Sequence, residues 1–285
     1  MNSSDTGYLV FKDMITHRAG LKAWIPFWRN CVDTLATLNL AFASNPALKD
    51  KFQFKITKPS FIKRIFGKKP KKEILLMPSL KENPALFDQC LNTKTIAWKS
   101  GIFETTSKGK YTIKISENLF LNEEYIKTII EEIRKSPVNK SQGYVYSDLH
   151  YYLYPEIIKR ITGMPMEEYL YNTYREIGAN TLTYNPLKKF PLERIVPTEV
   201  DTLFRKSLIH GYVHDEGAAM MNGISGHAGL FGNANDLSKL MLLYLNKGSY
   251  GNKEYFEPKI IDQFTSYQFR QEKNRRGLAF DKADF

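Results

Sequence analysis

The chain has 285 residues, 42% of them hydrophobic and 25% charged, with a formal net charge of +11 at pH 7. That composition supplies a sizeable core and excludes a disordered or fibrous chain, and no apolar run approaches the roughly 18 residues of a membrane span. Cys31 and Cys90 are its only cysteines, without metal or redox spacing, which excludes a disulfide scaffold and points to two buried thiols.

In chain order the pattern is mostly helical. Residues 1–11 have neither a basic n-region nor an apolar h-region, so no signal peptide is expected there. A short helix over 11–17 ends at Gly20, and a longer one is predicted over 26–43. Residues 51–72 hold nine Lys or Arg and no acidic residue, leaving +2 for the rest of the chain. Phe52, Phe54, Phe61 and Phe66 interleave with those charges, which fits acidic polymer or lipid headgroups as partners. Pro59, Gly67 and Pro70 break regular structure, so the simpler expectation is a solvated basic insertion with no nucleic-acid role.

Residues 103–106 and 111–115 alternate apolar and polar about Ser107-Lys108-Gly109, which predicts a hairpin. Asn122 is placed to cap a helix running to Lys135, with Tyr125, Ile126, Ile129, Ile130 and Ile133 on its apolar face. Residues 180–201 are turn-rich, with Pro186, Pro191 and Pro197. Further helices are predicted over 236–246 and 258–267, and residues 277–280 read as the start of a strand. No internal repeat or linker is present, so the expectation is one helix-rich α+β domain over 1–285.

The stretch that organises the chain is GYVYSDLHYYLYPEIIKRITGMP, residues 143–165, centred on Tyr146-Ser147-Asp148. A phenol, a hydroxyl and a carboxylate stand just ahead of a predicted helix. Leu149, Tyr152, Leu153, Ile157 and Ile161 recur at helical spacing behind them. Gly163 is placed to end that helix and Pro165 to open the next, over 166–177. A helix anchored along one face would hold the tyrosine at a fixed place on the surface.

With two further blocks, this stretch resembles the serine β-lactamase-like hydrolases: class C β-lactamases, D-Ala-D-Ala peptidases and related esterases. Tyr146-Ser147-Asp148 and Thr162-Gly163-Met164-Pro165 are similar to that family's Tyr-x-Asn and Thr-Gly-x-Pro. Ile15-Thr16-His17-Arg18-Ala19-Gly20-Leu21 is similar to its Leu-Thr-His-Thr-Ser-Gly-Leu, and residues 223–241 to its Gly-Gly-Leu-x-Ser-Thr-x-x-Asp-Leu segment. The wording AWIPF (residues 23–27) and VHDEGA (residues 213–218) resembles such domains joined downstream of family 3 glycoside hydrolases.

The resemblance implies a helical subdomain packed on an antiparallel sheet, acyl-enzyme chemistry on a peptide, ester or β-lactam carbonyl, and a role in cell-wall peptidoglycan metabolism or recycling. It implies no cofactor and no metal, a periplasmic or extracytoplasmic setting, and an N-terminal glycoside hydrolase domain as a partner. Tyr146 would be the general base, and Asp148 would hold the family's Asn position. A free tyrosine titrates near pH 10, so neighbouring cations must stabilise its phenolate. A carboxylate at 148 accepts hydrogen bonds but donates none unless protonated, which favours a peptidase or esterase over a β-lactamase.

The family's Ser-x-x-Lys and its Lys-Thr-Gly or His-x-Gly strand are expected before residue 1 and after residue 285, which makes this chain a fragment of the domain. Ser60 with Lys63, and Ser107 with Lys110, match the first pattern but follow the His17 block. Lys247-Gly248-Ser249 has the third motif's residue types in the wrong order, and His227-Ala228-Gly229 precedes that motif's place. His150 and Pro155 stand where relatives have Gly: the imidazole takes room beside the base, and the proline threatens a helical hydrogen bond. Two other readings are a catalytically inactive wall-peptide-binding module and a zinc hydrolase using His210, His214 and His227, three of the five histidines.

Overall fold

The structure, a computed structural model, describes residues 9–50, 55–56, 74–75, 84–92, 96–139 and 143–284. The basic run 51–72, with Ser60, lies outside the described residues apart from a two-residue strand, Lys55–Ile56. The described residues form two compact units: Met1–Trp28 with Phe103–Glu199 and Leu208–Phe285, and Arg29–Ile102 with Val200–Ser207. Helices dominate and the strands pair antiparallel in small separate sheets, an α+β composition.

In the larger unit the elements are α1 (Phe11–Ile15), β1 (Phe103–Glu104), β2 (Tyr111–Ser116), β3 (Leu119–Asn122) and α2 (Tyr125–Lys135). A 3₁₀ turn (Leu149–Leu153) then leads into α3 (Tyr154–Thr162) and α4 (Met166–Glu176). After an irregular stretch come α5 (Glu216–Met220), α6 (Ala234–Leu245), the short pair β4 (Ser249–Tyr250) and β5 (Lys253–Glu254), and α7 (Pro258–Thr265). The main sheet has the order β1-β3-β2, with fully buried Leu121 opposite both Phe103 and Ile113.

The predicted hairpin therefore has the wrong partner. The tight connection is Glu117-Asn118, between β2 and β3, and β1 pairs on the far side of β3. Leu119–Asn122 takes the centre because its leucines bury almost completely, whereas residues 105–110 are exposed. Amphipathic α2 follows as expected, with Ile129 and Ile133 buried and the Asn122 side chain accepting the Glu124 N–H (3.1 Å).

The long central helix is also corrected. Residues 149–153 are a 3₁₀ turn, so Pro155 falls in the first turn of α3, where an N–H has no intrahelical partner to lose. Its apolar face is shorter than the periodicity suggested: Leu149 and Tyr152 are buried, but Ile161 is 79% exposed. Gly163 caps α3 in the left-handed conformation (φ 73°), donating to the Lys159 carbonyl (2.8 Å), and α4 starts after Pro165 as predicted. Residues 277–280 form a turn closed by Gly277 N–H to Phe280 O (3.0 Å), with Ala279 at positive φ, in place of the expected strand. The α6 face packs Leu243 on Ile177, Ala179 and Leu182.

In the smaller unit, the helix expected over 26–43 is broken. A new helix, Thr34–Ser44, is started by Asp33, whose carboxylate accepts the Ala36 N–H (2.9 Å). It packs Leu38 and Ala41 against Leu48 and Cys90. Both cysteines are buried, as expected. The Asp201 carboxylate accepts the backbone N–H groups of Leu203, Phe204 and Arg205 and the Arg205 Nε–H (2.7 Å), so the buried charge is satisfied.

Candidate active site

Tyr146 sits in an extended segment between α2 and the 3₁₀ turn, and that segment is bonded along the chain that follows α1. Val145 N–H donates to the His17 carbonyl (2.9 Å), and Ser147 N–H donates to His17 Nδ1 (3.1 Å). The Ser147 hydroxyl donates to the Lys22 carbonyl (2.6 Å), and Asp148 N–H donates to the Ala23 carbonyl (3.0 Å). Ser147 is buried and occupied in this way, which leaves it no role as a nucleophile. Tyr146 itself is 52% exposed. The Tyr146-Ser147-Asp148 triplet is thus a rigid mount that presents one phenol and one half-buried carboxylate.

Two groups frame the phenol ring. The His17 imidazole lies 4.6 Å from it, centroid to centroid, and the Arg276 guanidinium stands over it at 5.3 Å. The Asp148 carboxylate lies close enough to act on the Tyr146 hydroxyl electrostatically. Burial and the Asp148 charge raise the phenol's pKa, and Arg276 only partly opposes them. Burial also raises the Asp148 pKa, against the attraction of His227. At neutral pH Tyr146 is therefore a protonated phenol beside Asp148. It becomes a proton-accepting phenolate only if further positive charge arrives.

Arg276 was not singled out from the sequence, where only the dipeptide Arg275-Arg276 ahead of Gly277 marks it. It reaches the site because its segment is tied to the chain near α1: Asn274 Nδ2–H donates to the Thr16 carbonyl (3.0 Å) and Ala279 N–H to the Ile15 carbonyl (3.2 Å).

On the other side of Asp148, His227 stacks on Tyr152 (4.5 Å) and joins Ser225 Oγ to its Nδ1 (2.8 Å) and Asp215 Oδ1 to its Nε2 (3.0 Å). These are the residue types of a nucleophile, base and acid. Ser225 is fully buried, however, and Asp215 also caps α5 by accepting the Ala218 N–H (2.7 Å). The network orders the 223–229 loop and offers a substrate no nucleophile. Gly226 latches that loop to the 3₁₀ turn by donating to the Tyr151 carbonyl, and a Cβ at 226 would stand 2.9 Å from that oxygen.

The three histidines of the zinc reading are not brought together. His210 Nε2–H donates to the Ile195 carbonyl (2.5 Å), exposed His214 faces Glu199 at 3.8 Å, and His227 is committed to Ser225 and Asp215. Among the described residues no group of three His, Cys, Asp or Glu is arranged to hold a metal. Ser107 is exposed in the loop between β1 and β2. A groove of about 700 Å³ runs along α2, α3 and α4 and includes neither Tyr146 nor Asp148.

The chain is similar to curated proteins of Salmonella. It is 39% identical over 155 residues to the "Putative D-alanyl-D-alanine carboxypeptidase" of Salmonella enteritidis PT4, a match covering 49% of this chain and 36% of that protein. Proteins of the same name from Salmonella newport and Salmonella agona are 39% identical over 153 residues, 48% of this chain and 35% of each. The chain therefore spans about a third of the length of the curated relatives it matches. No family model matches, and no solved structure does. No helix among the described residues is long and apolar enough to cross a membrane.

His150 is buried between His17 (5.6 Å), Tyr151 (3.9 Å) and Tyr154 (6.1 Å), and neither ring nitrogen has a protein partner. Burial holds its pKa down to about 3. Unbonded buried polar groups cost about 1–3 kcal/mol, so His150→Phe, which keeps the ring volume, is expected to stabilise the fold by about 1–2 kcal/mol. Thermal unfolding at pH 7 measures it, and a lower melting temperature in the variant refutes it.

Proposed function

We propose that this chain forms the helical part of a serine β-lactamase-like hydrolase that cleaves a cell-wall peptide by acyl transfer, with a D-Ala-D-Ala terminus as the substrate class. The observation that carries the reading is the mounted Tyr146–Asp148 pair, its phenol half-exposed beneath Arg276, in a chain whose curated relatives carry a D-alanyl-D-alanine carboxypeptidase name. In this reading a serine from outside these 285 residues attacks the carbonyl. Tyr146 takes its proton and returns it to the departing amine, and Asp148 accepts a hydrogen bond from the substrate amide or from the lysine paired with that serine. That lysine supplies the positive charge the phenol needs, because burial and Asp148 hold its pKa up.

The test uses this chain as it is. A fluorescent penicillin or fluorophosphonate is expected to leave it unlabelled, while an N-acyl D-Ala-D-Ala peptide shifts the NMR signals of Tyr146, Asp148 and Arg276. Covalent label on Ser107 would assign the chemistry elsewhere. Peptide shifts confined to residues remote from Tyr146 would remove the substrate assignment.

A further inference from the structure

We propose that His17 is the positioning residue of this site: a neutral imidazole, protonated on Nε2, that fixes Tyr146 by binding the backbone on both sides of it. This role rests on the reading of Tyr146 as the reactive phenol, but the geometry does not depend on that reading. One residue takes the two N–H groups that flank Tyr146, Val145 on its carbonyl (2.9 Å) and Ser147 on Nδ1 (3.1 Å). The same imidazole lies 4.6 Å from the Tyr146 ring, so backbone and side chain of residue 146 are set together.

The conformation of His17 is specialised for this. Its φ is 59°, in the left-handed region that β-carbon residues seldom occupy, and its side chain is only 2% exposed. Nδ1 accepts from Ser147, so the proton of the neutral ring is on Nε2, and Nε2 has no protein partner. An imidazolium would carry protons on both nitrogens and would set N–H against N–H at Ser147. Arg276, His150 and Tyr144 also surround the ring, with Asp281 the acidic group acting on it. In keeping with a neutral role, burial and Arg276 hold its pKa down to about 4.

Two variants and one spectrum of the unaltered chain separate positioning from mere packing. His17→Gly removes ring and acceptor but suits the left-handed backbone. His17→Asn restores an acceptor at the Nδ1 position and also tolerates positive φ. In His17→Gly the Ser147 amide is expected to exchange with deuterium about tenfold faster relative to Val145, the scale of one lost hydrogen bond. The resonance of a fluorotyrosine placed at 146 is expected to broaden or split. In His17→Asn, Ser147 protection is expected to return to within about threefold of the parent chain.

Unchanged Ser147 exchange in His17→Gly, or failure of His17→Asn to restore it, overturns the proposal. If His17→Gly does not fold, His17→Asn decides alone: Ser147 must remain protected there. In the parent chain at pH 7, ¹⁵N spectra must show an unprotonated Nδ1 and a protonated Nε2, and the opposite tautomer or an imidazolium overturns it with no variant needed. None of these readouts measures catalysis, so a failure here is distinguishable from a failure of the hydrolase reading, which the peptide and probe experiments decide.

Discussion

In a protein that joins this chain to a Ser-x-x-Lys segment, Tyr146→Phe is expected to lower acylation by a penicillin or a D-Ala-D-Ala peptide by roughly two to four powers of ten, the scale of a lost general base. Folding should survive, because Tyr146 is half-exposed and the neighbouring Asp148 can turn to water. The His17 contact and the Arg276 approach use the ring, which phenylalanine keeps. Asp148→Asn tests the electrostatics in the present chain alone. Removing the adjacent carboxylate takes away a charge that raises the Tyr146 pKa, so the phenol should titrate lower in the variant. In the joined protein the same change should cost less than Tyr146→Phe, and it can improve β-lactam turnover because the amide regains a donor. Full acylation activity in Tyr146→Phe would reduce the triplet to a helix lead-in, and an unshifted Tyr146 titration in Asp148→Asn would refute the coupling of the pair.

What the sequence made legible was local. Gly163 and Pro165 mark the α3–α4 junction because a left-handed cap and a fixed φ are properties of single residues. The Tyr146-Ser147-Asp148 triplet was legible as a surface mount because a buried turn follows it. What holds that mount was not. His17 and Ser147 are 130 residues apart, and Arg276 is as far again, so no periodicity connects them. The hairpin was assigned to Ser107-Lys108-Gly109 because turn chemistry there is strong. The pairing was decided instead by the burial of Leu119 and Leu121, which are tertiary facts. Pro155 looked like a helix breaker because a 3₁₀ turn and an α-helix give nearly the same apolar spacing over five residues, and only the change between them makes the proline harmless. Similarly, His210 and His214 stood four apart as metal ligands do, yet the chain between them is not helical and each turns to a different partner.

His17, which holds the mount, and its neighbour His150 make the fold sensitive to mild acid. His17 and His150 have pKa values held down to about 4 and about 3, from an ordinary 6.5, chiefly by burial. The unfolded chain therefore binds protons that the folded chain refuses as pH falls below 6.5, so stability is full above that pH and declines beneath it. Between pH 7 and pH 5 each histidine contributes about 2 kcal/mol of loss, about 4 kcal/mol together, against a typical domain stability of about 5–15 kcal/mol. The carboxylates act elsewhere. Asp236, held down to about 2 beside Lys239 and Thr181, and Asp201, held down by its bonds to Arg205 and the backbone, lose their contribution only below the ordinary carboxylate range. Asp148, whose pKa is raised, gains on protonation and cushions the lower end. The expected result is a melting temperature about 10 °C lower at pH 5 than at pH 7, at constant ionic strength. His150→Phe should remove about half of that difference, because one of the two refusing imidazoles is gone, and should raise the melting temperature at both pH values. Equal melting temperatures at pH 7 and pH 5, or an undiminished difference in His150→Phe, would show that the two rings are not buried in neutral form.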